Sequence, residues 1–291
     1  MENGADAGCR GMNYTRRVTC LNWRTRSAGS TPMTVISQQA QRDVQPRETG
    51  ALLVLRPFTW VLAAARDLLA HPLASLAYGV LVVALGILVL AYQQHPLYVA
   101  AAVLGFLLVG PVFAAGCCEL SLRRERGEEA DFGHSLEVLV RCRGPLLRLA
   151  SGLLLVALLW FAVALGVLYW AHGSVAPSIE STVWGNVLAQ LSPVQLLVYA
   201  GAALGLAVVS FTLTVISVPA IIDRGLSATE AMGASLALCR RHPLVMLVWA
   251  VLVAALVALG TAFWLVGLAV IFPLLGHATW RAYVELGREP R

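Results

Sequence analysis

Six long apolar stretches constrain this chain more than any other feature. A transmembrane helix needs about 20 mostly apolar residues. Stretches of that kind run from about Leu73 to Tyr92, Leu97 to Cys117, Leu146 to Ala171 and Leu196 to Ile221. Two more share one apolar run, Leu244 to Trp280. At about 1.5 Å of rise per residue that run is too long for one crossing, and Gly260-Thr261 is the expected turn. Composition agrees, because 58% of the residues are hydrophobic and only 13% are charged, whereas a soluble domain is about a quarter charged. The expected fold is all-α, a polytopic membrane bundle of about six transmembrane helices.

The net charge of +5 could suggest nucleic acid, but its placement points to a membrane. All 21 basic residues are arginine, the bias of a GC-rich, bacterial genome. Nine precede the first stretch, six lie between Arg123 and Arg148, three between Arg224 and Arg241, and three from Arg281 onward. None lies in the Gln93–Pro96 turn, the His172–Gln195 loop or the Gly260 turn. Cytoplasmic loops carry the basic excess, so both termini are expected in the cytoplasm of a bacterial inner membrane. Glu180 is the only charge expected on the far side. All six cysteines fall on the cytoplasmic side, where thiols stay reduced, and their spacing suggests no disulfide framework. Residues 1–50 are polar and lack the apolar core of a signal peptide. They read as a disordered cytoplasmic tail, with Met33 an alternative start that would leave 1–32 untranslated. Residues 51–286 form the expected membrane domain and 287–291 a short cytoplasmic tail.

The chain also reads as three repeats, each an amphipathic helix, a Pro-Leu step and a pair of spans. The helices are Pro57 to Ala70, Asp131 to Arg143 and Ser227 to Arg241, and the steps are Pro72-Leu73, Pro145-Leu146 and Pro243-Leu244. The residue before a proline avoids the α region, so each step should end one helix and begin the next. Ser227-x-x-Glu230 is a capping box. Ala228, Met232, Leu236 and Cys239 should line one face of the third helix, and Phe132, Leu136 and Val140 one face of the second. Such helices suit a membrane interface, which makes membrane lipids the expected partners, with a membrane-protein partner or a homo-oligomer beside them.

Chemistry is harder to find. Ion-coupled carriers place ionisable groups at mid-membrane depth, and the six stretches hold almost none. The candidate site is a polar cluster at the cytoplasmic ends of spans two, four and six: Glu119, Arg123, Asp223, Arg224, His277 and Arg281. It reads either as a small site for a phosphate or carboxylate, or as ion pairs that tie helix ends together. Gly110-Pro111, Pro219 and Pro273 put breakers nearby, suiting a shallow vestibule. No metal-ligand spacing, nucleotide motif or nucleophile motif is present, so no cofactor, metal or catalytic residue is expected.

Four segments carry a resemblance. They are Ser75–Gly79 (SLAYG), Gly110–Glu128 with its Glu119-Leu120-Ser121 and Arg123-Arg124-Glu125-Arg126-Gly127-Glu128, Ser217–Arg224 (SVPAIIDR), and Gly276–Tyr283. In these the chain resembles a bacterial family of integral membrane proteins, domain of unknown function 2189, over about Phe58 to Leu286. Cys117-Cys118 departs from the family pattern, where a Leu-Tyr-like pair is expected. The resemblance implies a helical inner-membrane protein and carries no catalytic residue. The expected role is a non-enzymatic structural, assembly or modulatory membrane component, and the alternative is a small-solute permease or lipid-handling protein with a cytoplasmic-side polar cleft.

Overall fold

The computed structural model describes residues 54–91, 96–172 and 191–288, and all regular structure among them is helical. The expected tail over 1–50 and most of the expected outer loop, with Glu180, lie outside the described residues. Every described residue falls within one compact unit, Glu48–Arg291.

The chain opens with α1 (Arg56–Ala70) and α2 (Pro72–Ala91). Next come α3 (Pro96–Arg126), a 31-residue helix with Pro111 inside it, and the short α4 (Phe132–Arg141). These are followed by α5 (Arg143–His172), α6 (Pro193–Thr214) and α7 (Ser217–Arg224). Last are α8 (Ala228–Arg241), α9 (Pro243–Ala262) and α10 (Leu268–Ala282), which runs on into a π turn, Tyr283–Gly287. Local chemistry sets the starts. Asp131 caps α4 by accepting the His134 N–H, and Ser192 with Gln195 makes a capping box on α6. Ser227 and Glu230 form the box anticipated for α8. Each such bond satisfies an N–H that the first helical turn leaves without a partner.

Two of the three Pro-Leu steps behave as expected, and at the second the break falls earlier, leaving Gly144 before Pro145 helical. His71 (φ −132°, ψ 61°) stands before Pro72 and His242 (φ −128°, ψ 58°) before Pro243, in nearly the same non-helical conformation. Cys142 makes the break ahead of α5, where the proline follows three residues later. At the first break the axis turns by 107° between Arg56–Ala70 and Pro72–Leu88.

Among the described residues three segments are long and apolar enough to cross a bilayer: Arg143–Val167, Pro193–Arg224 and Pro243–Ala262. The bent pair α1–α2 is a fourth candidate. The expected second stretch lies inside α3. Helix α10, expected to contain the sixth span, has 15 residues, fewer than the about 20 a crossing needs.

One local expectation is corrected, and the packing of two short helices is refined. The turn between α9 and α10 is not at Gly260-Thr261: α9 continues through Ala262 and the chain reverses over 263–267. Trp264 (φ 53°) and Leu265 (φ 65°) take the left-handed conformation there, and Gly260 is buried against the returning chain beside Gly267. In α4 the buried residues are Ser135 and Val138, while Leu136 and Val140 point outward. In α8 the buried stripe is Ala228, Ala231, Ser235, Leu238 and Cys239, with Met232 and Leu236 on its flank. In both helices the inside is a mixed stripe, with Val138 and Leu238 buried beside small residues such as Ser135, Ala231 and Ser235.

The core is concentrated at one end of the bundle. Trp60, Val138, Leu149, Ile216, Ile221, Trp249 and Trp280 meet there with little or no exposure. The far halves of the long helices contribute little. Helix α6 buries none of its residues, and α5 beyond Ala157 buries only Val167 among its described side chains.

Candidate functional site

The packed end of the bundle is also where the charges gather. Glycines bring its helices together. A Cβ on Gly79 of α2 would lie 1.8 Å from the Ala269 carbonyl oxygen of α10, and one on Gly276 of α10 would lie 2.6 Å from Cβ of Cys117 on α3. Tyr78 fills the space over Gly116. Tyr78 also reaches α4, where its hydroxyl lies 2.6 Å from Ser135 Oγ. Because Ser135 gives its own proton to the Phe132 carbonyl, Tyr78 is the donor of that bond.

At the centre is a buried chain of four polar side chains from four helices, Asp67, Ser121, His277 and Ser75, none more than 1% exposed. Ser121 Oγ donates to Asp67 Oδ2 at 3.5 Å, a long contact. It therefore accepts from His277 Nδ1 at 2.7 Å, and His277 Nε2 accepts from Ser75 Oγ at 3.0 Å. The Asp67 carboxylate is held by Arg281 through Nε at 2.8 Å and Nη2 at 2.5 Å, and by Arg124. A buried charge needs this company, because desolvation of an isolated carboxylate costs far more than any single hydrogen bond returns.

Two further ion-pair groups flank this centre. Glu119, 2% exposed, receives Arg123 Nε at 3.1 Å and Arg141 Nη2 at 2.8 Å, and Arg123 also reaches Glu137 at 2.7 Å. On the other side Arg288 Nε meets Asp223 at 3.0 Å and its Nη1 meets Glu125 at 2.6 Å, with the guanidinium over the Trp280 and Tyr283 rings. Tyr283 donates to Asp223 at 2.9 Å and Trp280 to Glu125 at 3.2 Å. Burial and the neighbouring Asp223 carboxylate push the Tyr283 phenol well above its ordinary value, so it stays a donor. Glu285 links the end of the chain to α1, accepting from Trp60 Nε1 at 2.8 Å and pairing with Arg56 at 2.9 Å.

The six residues singled out from sequence therefore share one end of the fold but not one site. Glu119 and Arg123 stay together, Asp223 joins Arg288, and His277 and Arg281 meet through Asp67 and Ser121. Arg224 sits at the exposed end of α7. No hydrogen bond joins any two of Glu119, Asp223 and His277 among the described residues. The expected i, i+4 pairing of Glu119 and Arg123 is present, and Arg141 adds a second cation.

Asp67 and Arg288 were missed. Asp67 carried a readable signal, because Trp60, Ala64, Asp67 and Leu68 repeat at helical spacing and form the buried face of α1. Arg288 carried none: it was placed in a tail, and only the π turn brings it back over Trp280. The four segments that carry the family resemblance meet one another here. Ser75 and Ser121 bond His277, Gly276 packs on Cys117, and Asp223 bonds Tyr283.

The arrangement can fasten helices. Ser75, Ser121 and His277 are enclosed within it, at most 1% exposed. Among the described residues no three His, Cys, Asp or Glu side chains converge as metal ligands. The described cysteines, Cys117, Cys118, Cys142 and Cys239, are free and buried. A separate apolar groove of about 240 Å³ lies between α5 and α6, lined by Trp160, Phe161, Ala203, Ala207 and neighbours, with Ser210 its only polar residue.

A family model described as "Predicted integral membrane protein (DUF2189)" matches residues 98–223. No curated protein and no solved structure matches the chain.

Proposed function

We propose that this chain, similar over 98–223 to a family of predicted integral membrane proteins, is a non-enzymatic structural, assembly or modulatory component of its membrane. The observation that carries the reading is the use made of its charges. Asp67 faces arginines from two other helices, Glu119 takes Arg141 from α4, and Asp223 takes Tyr283 and Arg288 from the π turn and its C-cap, so the polar groups at this end fasten α1, α3, α4, α7, α10 and the π turn. A transport site keeps some of its polar groups open for a solute; here the central four are closed. The arginine distribution supports an inner-membrane location with both termini cytoplasmic, which puts this network on the cytoplasmic side. The threefold pattern of short helix, break and long helix supports an origin by duplication.

One observation favours the alternative of lipid handling. The groove between α5 and α6 is apolar enough for a hydrocarbon chain, though its volume is below the roughly 300–1,000 Å³ of small-molecule sites. Extraction in mild detergent, with mass spectrometry of everything that stays bound, separates the two. A stoichiometric protein complex supports the structural role. A solitary protein that moves lipid or solute in liposomes overturns it.

A further inference from the structure

A second surface carries an inference independent of the charged network. Helix α1 buries Pro57, Trp60, Ala64, Asp67 and Leu68 and turns its opposite face outward. That face carries the N-cap Leu55 and then Phe58, Leu62 and Leu69, exposed by 56%, 48%, 65% and 76%. Their spacing of three, four and seven residues places them in one stripe along the helix. Arg66 lies within the stripe, exposed and with no carboxylate partner among the described residues.

We propose that α1 lies in the plane of a phospholipid monolayer, with its Leu55, Phe58, Leu62 and Leu69 edge among acyl chains and Arg66 reaching back to lipid phosphate. Three features point to lipid as the occupant. The 107° turn between α1 and α2 sets α1 within about 20° of perpendicular to the helix that follows, and spans tilt by about that much from the bilayer normal. Exposed apolar residues are also present beyond the break on α2, at Leu73, Val80, Leu81, Ile87 and Leu88. An arginine inside an apolar stripe suits an interface, because its stem can lie in hydrocarbon while its head meets phosphate. Helix α8 offers the contrast. It also precedes a Pro-Leu step, but its outward face carries Thr229, Glu230, Gly233, Arg240 and Arg241, a surface suited to water. On its inner side α1 is held by the Asp67 contacts with Arg281 and Arg124, which keep the stripe facing away from the bundle.

The test is photocrosslinking of the full chain in its native membrane. Benzoylphenylalanine is placed at Leu62, at Phe58 as a second exposed position, and at Thr229 on α8 for comparison, and the adducts are identified by mass spectrometry. Phospholipid adducts at Leu62 and Phe58, severalfold above those at Thr229, are expected. Crosslinks from the stripe to a second copy or another polypeptide overturn the proposal. So does lipid adduct at Leu62 and Phe58 no more abundant than at Thr229. The outcome does not depend on whether the bundle scaffolds or transports, since it reads only what covers α1.

Discussion

Asp67 is the residue on which the packed end turns. Asp67→Asn keeps the shape but leaves Arg281 and Arg124 facing each other without a full negative charge. Both guanidiniums are about a third exposed, so part of the loss is recovered from solvent, and a destabilisation of about 3 kcal/mol is expected, at the low end for a broken buried pair. Arg281→Gln should cost less, because Arg124 still covers the carboxylate. Reversible unfolding in mixed detergent micelles measures both, and equal losses would contradict the shared role of the two arginines. Packing gives a second prediction at this scale. Gly79→Ala drives a methyl into the Ala269 backbone and should cost about 1–3 kcal/mol, whereas Gly152→Ala, with nothing within 4 Å, should be neutral or stabilising. The residue scale was only half legible in advance. Glu119, Arg123, His277 and Arg281 were recognisable as charges at one depth, but depth does not assign partners. Their grouping comes from rotation about each helix axis, and the contribution of Asp67 from a helix that lies before the first apolar stretch.

At the scale of elements, starts and breaks were the most readable feature, because they are set by local bonds. The Ser227 and Glu230 box on α8, the breaks at His71 and His242, and the short amphipathic helices all follow from nearest-neighbour chemistry. Ser227→Ala should weaken α8 by about 1 kcal/mol, visible as faster amide exchange over its first turn. The box also has a pH signature. Hydrogen bonds from Ser227 hold the Glu230 carboxyl below its ordinary value, so its capping contribution is complete above the ordinary glutamate range, about pH 4.3, and fades as pH falls through the lowered folded value. Protection at that turn, relative to the intrinsic exchange rate at each pH, should therefore fall at acid pH in the native chain and change less in Glu230→Gln. Which residues of α4 point into the bundle, and the position of the turn at 263–267, were less readable. In α4 the apolar Leu136 and Val140 are exposed while Ser135 is buried, so hydrophobicity alone does not separate inside from outside.

For the whole molecule, the all-helical membrane fold was legible from apolar run length, and the segregation of arginine proposes its orientation. A cysteine at Glu180→Cys should react with a membrane-impermeant maleimide added outside intact cells. Reaction only after the inner face is opened would reverse the proposed topology. The interior of the bundle was less predictable, since nothing in the apolar runs says how far along each helix packing persists. It persists over about half: α6 has no buried residue, while the end that holds Trp60, Trp249 and Trp280 is filled. Hydrocarbon surface left in water costs about 25 cal/mol per Å², but against lipid tails that charge vanishes. The bilayer is thus an ingredient of this architecture rather than its container. Stripped of every amphiphile, the splayed halves would clump with one another or with neighbouring chains long before the riveted end came apart.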